Sequence, residues 1–178
     1  MTGCDYCAAL HRKGKNKPFQ VLQKSEVMQD AFAQLGQMEF IDYQLEEKME
    51  AFTCALYGGR GKTTSVDELR YQKLSNTKKS LRTTDPASLP PCRRTLRQKL
   101  KSLNYVSNMW RQAPIADMEL WDPKDHGYKE ENGRLTPLWF EGPEKPDITY
   151  APQDIPDSDS DSDSSCSDSD SDDDPDLD

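Results

Sequence analysis

The sequence predicts a small, mainly α domain with a short C-terminal hairpin or extended aromatic segment, followed by a disordered acidic tail. Two long segments carry that expectation. "DYQLEEKMEAFTCALYGG" sets Leu45, Met49, Phe52 and Leu56 along one face at helical spacing, and Gly58 stands just past its end as a stop. "PPCRRTLRQKLKSLNYVSNMWRQA" aligns Leu96, Leu100, Leu103 and Val106 or Ser107 on one side, with Arg93, Arg97, Lys101 and Asn104 mostly on another. Prolines precede this second helix and Pro114 follows it. The tail, "PDSDSDSDSSCSDSDSDDDPDLD", has no apolar group to bury except Leu177 and Cys166, and its like charges repel.

The remaining elements follow in chain order. "KPFQVLQKSEVMQDAFAQLGQ" reads as two short helices, Pro18 to about Lys24 and Glu26 to about Leu35. Ser25 caps the second, Glu26 occupies its first turn and Gly36 closes it, so that Val27, Ala31 and Leu35 share an apolar face. Ser65 with Glu68 three residues on forms a capping box opening "SVDELRYQKL". The polar stretch from Asn76 to Pro90 reads as a mobile connection. Beyond Pro114, Asn132-Gly133 is a two-residue turn signal between Tyr128-Lys129 and Leu135 to Phe140, with Pro137 confining any strand there to an edge. Trp121, Tyr128, Trp139 and Phe140 are expected to fold back onto the helices. The expected division is 1–24 as an N-terminal segment, 25–145 as the helical domain, which the short helix from about residue 17 adjoins, and 146–178 as the tail.

Hydrophobic residues make up only 34% of the 178, and mean hydropathy is −0.94, so the core is thin. No apolar run is long enough to span a bilayer, and the N-terminus lacks the apolar stretch of a secretory signal. Five cysteines at scattered positions do not form the framework of a small secreted domain, which favours reduced thiols. An intracellular protein is expected, nuclear in preference to cytoplasmic, with no membrane partner. Its net charge of −9 conceals a segregation. From Gly58 to Gln112 there are 13 Lys or Arg against 3 Asp or Glu, whereas Asp154 to Asp178 holds 12 Asp and no base.

Three motifs invite chemistry. Cys4-Asp5-Tyr6-Cys7 has CxxC spacing with His11 four residues on, but a second close pair of ligands is missing, and buried or reduced thiols are the alternative. "GGRGKTT" has the look of a phosphate loop, yet Leu56 stands where its first glycine belongs and the segment follows a helix, so a helix-terminating turn is expected. The long helix carries Arg93, Arg94, Arg97, Lys99 and Lys101, with Tyr105 and Trp110 further along. A basic face of this kind suits non-specific nucleic-acid binding, and a solvated face paired with the acidic tail is the alternative.

The opening "TGCDYCAALHRKGKNKPFQVL" resembles a segment of the flap endonuclease-like (PIN-like) nucleases: L-G-x-D-Y, a short loop, G-x-G-x-K, then an apolar helix. The resemblance implies that Asp5 corresponds to a metal-ligating aspartate. It also implies that the loop with Gly14 and Lys15, together with Lys13, faces a nucleic-acid backbone; Arg12 replaces the first loop glycine. Further along, "LYGGRGKTTSVDELRYQKLSN", "LPPCRRTLRQKLKSLNYVSNMWRQA" and "HGYKEENGRLTPLWFEGP" resemble animal open reading frames associated with mobile elements. In those, a "LTGCDT…GKGK" segment precedes "LPPT…RANYQ…IW…HGW". Many such relatives end in a cysteine-rich zinc-binding tail where this chain has Ser-Asp repeats.

Two-metal phosphodiester hydrolysis needs several convergent carboxylates, and the resemblance supplies only Asp5. The chain is therefore expected to be the C-terminal part of a longer ancestral protein. No cofactor is implied, and magnesium would bind only if an upstream carboxylate cluster joined Asp5. The leading expectation is a non-enzymatic, nucleic-acid-associated domain with candidate contacts Lys13, Lys15, Arg93, Arg94, Arg97, Lys99 and Lys101. The alternatives are a protein whose acidic tail binds basic partners such as histones, and a metal-dependent nuclease fragment. Ser158, Ser160, Ser165, Ser167, Ser169 and Ser171 each have an aspartate three residues downstream, a context similar to acidophilic casein-kinase-type sites. Each phosphate would add about 1.5 to 2 negative charges to a tail expected to compete with nucleic acid for the basic helix, a tail that only keeps the protein soluble being the alternative.

Overall fold

A computed structural model of the chain describes residue 3 and residues 9–59, 63–76 and 85–143. Its elements are α1 (Asn16–Gln23), α2 (Glu26–Gln34), α3 (Tyr43–Leu56), α4 (Val66–Asn76), α5 (Arg93–Gln112), and a hairpin of β1 (Tyr128–Glu131) and β2 (Arg134–Pro137). Short 3₁₀ turns occupy Pro86–Ser88 and Pro123–His126. The fold is thus mainly helical, as the periodicity predicts. The described residues form one compact unit, in which α1 packs against α2 and α3. No helix among the described residues is long and apolar enough to cross a membrane. The expected acidic tail, with its six serine sites, lies outside the described residues, as do Cys4, Asp5, Cys7 and the Gly61-Lys62 pair.

Helix α3 is the centre of the core. Asp42 caps it by accepting the Leu45 N–H at 2.7 Å, and its stripe of Leu45, Met49, Phe52 and Leu56 is buried. The α5 stripe of Leu96, Leu100, Leu103 and Val106 is buried too, and Val66 and Leu69 of α4 join the same cluster. Between them these side chains supply most of the apolar burial that holds the domain together. Ser25 caps α2 and the Ser65 hydroxyl accepts the Glu68 N–H at 3.5 Å, both where the sequence places them.

Four expectations are corrected. Val27 is 58% exposed: Ala31 and Leu35 are buried as expected, but the face they lie on continues through Met28 and Phe32 in place of Val27, with Phe32 meeting Phe52 edge-on at 4.8 Å. The connection before α5 is ordered over its last residues, because Asp85 caps the Pro86–Ser88 turn and Leu89 and Pro90 are buried. Asn104 and Tyr105 are buried rather than solvent-facing. Trp139 stays 61% exposed, because β2 ends at Pro137 and the chain leaves the hairpin there, whereas Trp121 and Tyr128 do pack on the core. The hairpin turns at Asn132 and Gly133, both at positive φ, and pairs Glu131 with Arg134.

A polar clamp fixes α5 to the turn after α2. Gly36 has φ +76°, and an added Cβ would lie 2.5 Å from the backbone at Ser107 and Asn108, so only glycine admits so close an approach. The Gly36 N–H donates to Asn104 Oδ1 at 2.7 Å, while the Asn104 amide donates to the Met38 and Glu39 carbonyls at 2.9 and 3.1 Å. Asn108 donates to the Gly36 carbonyl, and Arg111 donates to those of Leu35 and Ala33. The buried N–H and carbonyl of Gly36 and the neighbouring carbonyls of Leu35, Met38 and Glu39 thereby find partners on one helix face.

Candidate nucleic-acid interface

The five α5 cations do not form an open basic face. Arg93 Nε lies 3.2 Å from Glu46 Oε1 and 3.5 Å from Glu50 Oε2, and Arg97 Nε lies 2.6 Å from the same Glu46 oxygen. Both Glu46 and Glu50 project from α3, so these arginines join two core helices. Burial alone would lower the Arg93 guanidinium, but the Glu50 and Glu46 carboxylates, with the Tyr43 hydroxyl, outweigh it and hold the group above its ordinary value. Glu50, nearly fully buried, also accepts the Val66 N–H at 2.9 Å. Arg94 lies over the Phe140 ring at 6.0 Å, a loose cation–π arrangement. Lys101 borders a concavity of about 250 Å³ that Glu39, Glu46, Asp125 and Glu141 also line, so acidic groups offset its charge. Lys99 sits half-buried in a separate groove beside Tyr128, Leu138 and Trp139.

Positive charge concentrates instead around α1. The stretch from Arg12 to Lys24 carries Arg12, Lys13, Lys15, Lys17 and Lys24, and no acidic residue occurs between Asp5 and Glu26. Arg12 reaches Asp85 at 3.9 Å and His11 reaches the same carboxylate at 3.8 Å, both across solvent-exposed side chains. The Lys13 ammonium stands over the Tyr57 ring at 4.5 Å. Burial lowers the Lys13 pKa, and the nearby charges of Lys17 and of Lys73 from α4 lower it further. Lys17 of α1 and Lys73 of α4 therefore both lie within electrostatic reach of Lys13, with Lys15 exposed nearby in the turn. Helix α1 begins in this patch with no side-chain cap and no acidic residue in its first turn to offset its N-terminal partial positive charge.

Beside the lysines lies an apolar notch of about 370 Å³, lined by Lys15, Asn16, Phe19, Leu22, Phe32 and Phe52. Phe19 is 59% exposed at its edge. Of the residues the sequence suggests, the structure brings Lys13 and Lys15 into this patch and distributes the α5 set among other partners. Lys17 and Lys73 were missed by sequence reasoning. The acid-free run around Lys17 was a usable signal, whereas Lys73 is separated from it by two helices and had none.

Cys54 is buried, with its pKa pushed up to about 12 by burial and by Glu50 and Glu68, and Cys92 lies 3.3 Å from the Thr95 hydroxyl. Among the described residues no three His, Cys, Asp or Glu side chains converge as a metal site would require. No protein-family model, no curated protein and no solved structure matches this chain.

Proposed function

We propose that the chain is a non-enzymatic nucleic-acid-associated domain that grips a phosphate backbone with the turn from Lys13 to Lys17 and with Lys73, and that it derives from a mobile-element protein related to PIN-like nucleases. The observation that carries this reading is the basic turn from Arg12 to Lys17 at a helix start with no side-chain cap and no acidic residue in its first turn, where the charges of Lys17 and Lys73 add to the burial that lowers the Lys13 pKa. Like charges held together cost free energy in the isolated protein, and a polyanion relieves that cost on binding. A phosphate grip needs no carboxylate cluster, so the reading does not depend on Asp5. The α5 arginines have a structural role in it, tying α5 to α3.

The test is a salt titration of the full chain with DNA. Affinity is expected to fall steeply with salt, and replacing Lys13, Lys15 and Lys17 by Ala reduces the slope of log affinity against log salt by about two to three, according to strandedness. Replacing Arg94 and Lys101 together leaves the slope nearly unchanged. Binding that ignores salt, or that is absent at low salt, would overturn the reading.

A further inference from the structure

We propose that the notch beside Phe19 receives an unpaired base, so that the preferred ligand is a single-stranded nucleic acid whose phosphates lie on Lys13, Lys15 and Lys17. This rests on the proposed phosphate grip and adds to it a strand specificity. A backbone grip alone needs only cations. The patch has more: a phenylalanine that is 59% exposed, and directly beside it a cavity with aromatic and aliphatic walls from Phe32, Phe52 and Leu22. At about 370 Å³ the notch falls within the range of small-ligand pockets, which are mostly apolar with a few polar groups at the rim. Here the rim groups are Lys15 and Asn16, one cation and one amide that both donates and accepts hydrogen bonds. Phosphate, hydrogen-bonding edge and flat apolar face occur together in a nucleotide. In a duplex the bases are stacked on one another and present only their edges, so an apolar notch edged by an exposed aromatic ring is satisfied by a base from a single strand. Phe19 lies one helical turn beyond Lys15, which places the stacking surface next to the phosphate contact in the order that a strand supplies them.

The decisive comparison uses the unmodified full-length protein and fluorescence anisotropy at fixed low salt. Its probes are a single strand of about 12 nucleotides, the duplex of the same sequence, an abasic strand of the same length, and vesicles containing anionic phosphatidylserine. The base-bearing strand is expected to bind about tenfold more tightly than the abasic one. Phe19→Ala removes that difference while leaving abasic affinity unchanged, and Phe19→Trp preserves it. Equal affinity for base-bearing and abasic strands would overturn the stacking inference while lysine-dependent, salt-sensitive binding kept the phosphate grip intact. Absence of binding to every nucleic acid would defeat both. Vesicle binding lost in Phe19→Ala, without nucleic-acid binding, would assign the patch to a membrane surface and overturn both as well.

Discussion

Replacing Asn104 by Ala removes three hydrogen bonds from the clamp between α5 and the turn after α2. Their costs differ. The Gly36 N–H is buried and loses its acceptor outright, a penalty of about 1–3 kcal/mol, whereas the Met38 and Glu39 carbonyls belong to exposed residues and can turn to water at about 0.5 kcal/mol each. The sum is about 3 kcal/mol, a large share of the stability of a domain this size. In urea, with a dependence of about 2 kcal/mol per molar, the unfolding midpoint drops by about 1.5 M. Asn104→Asp gives a sharper signature. Its Oδ1 still accepts from Gly36, but its second oxygen faces two carbonyls in place of an amide donor. That repulsion raises the folded pKa of the new carboxyl above its unfolded value of about 3.9. The variant is thus most stable, relative to wild type, below the unfolded pKa and loses stability as pH rises through the folded one. A loss under about 1 kcal/mol for Asn104→Ala, or an Asn104→Asp protein as stable as wild type at pH 7, would refute the role given to the clamp.

Glu46→Gln should cost about 1 kcal/mol in denaturant titrations, because its arginine partners are over a third exposed and the pairs are partly screened, and it should raise nucleic-acid affinity by releasing Arg97, while Arg93 keeps Glu50. His126 is buried between Phe40 and Tyr105 with Trp121 tilted beside it, and its Nε2 has no hydrogen-bond partner among the described residues. Burial lowers its pKa; Glu39, Asp125 and Asp122 oppose this without cancelling it, and Lys101 reinforces it. Its contribution to stability is therefore intact above the unfolded pKa of about 6.5 and erodes as pH falls below it. The slope of stability between pH 7 and pH 5 should flatten in His126→Phe, and an unchanged slope would assign the pH dependence elsewhere. Deleting Asp154 to Asp178 removes 12 negative charges and should tighten DNA binding at low salt, while phosphorylation of the full chain should weaken it. Equal affinities in one salt titration would leave the tail without an inhibitory role.

The helices were legible because their signals are local. Caps such as Ser25 and stripes such as Leu45 to Leu56 are written within a few residues of where they act. What escaped was polar and non-local. Asn104 and Arg97 occupy positions that look solvent-facing on a helical projection, and only the arrival of Gly36 and Glu46, 68 and 51 residues away, turns them into contacts. The same limit applied to the candidate site. A run of basic residues on α5 reads identically whether its cations face phosphate or neighbouring carboxylates, and composition could not say that α3 presents Glu46 and Glu50 to them. Lys13 and Lys15 were found through their loop, whereas Lys73 needed the fold to bring α4 alongside.

The clamp on Gly36 also bears on how the chain folds in time. Its six side-chain bonds connect residues 65 to 78 positions apart, while the helices they join can form from neighbouring residues alone. Such long loops close at an entropic cost that must be met before the contacts return anything. Docking of α5 onto the α2–α3 turn is then a late event, on the native side of the rate-limiting barrier. Lesions in the clamp should leave the refolding rate almost untouched and appear as faster unfolding, shortening the lifetime of the native state far more than they delay its formation.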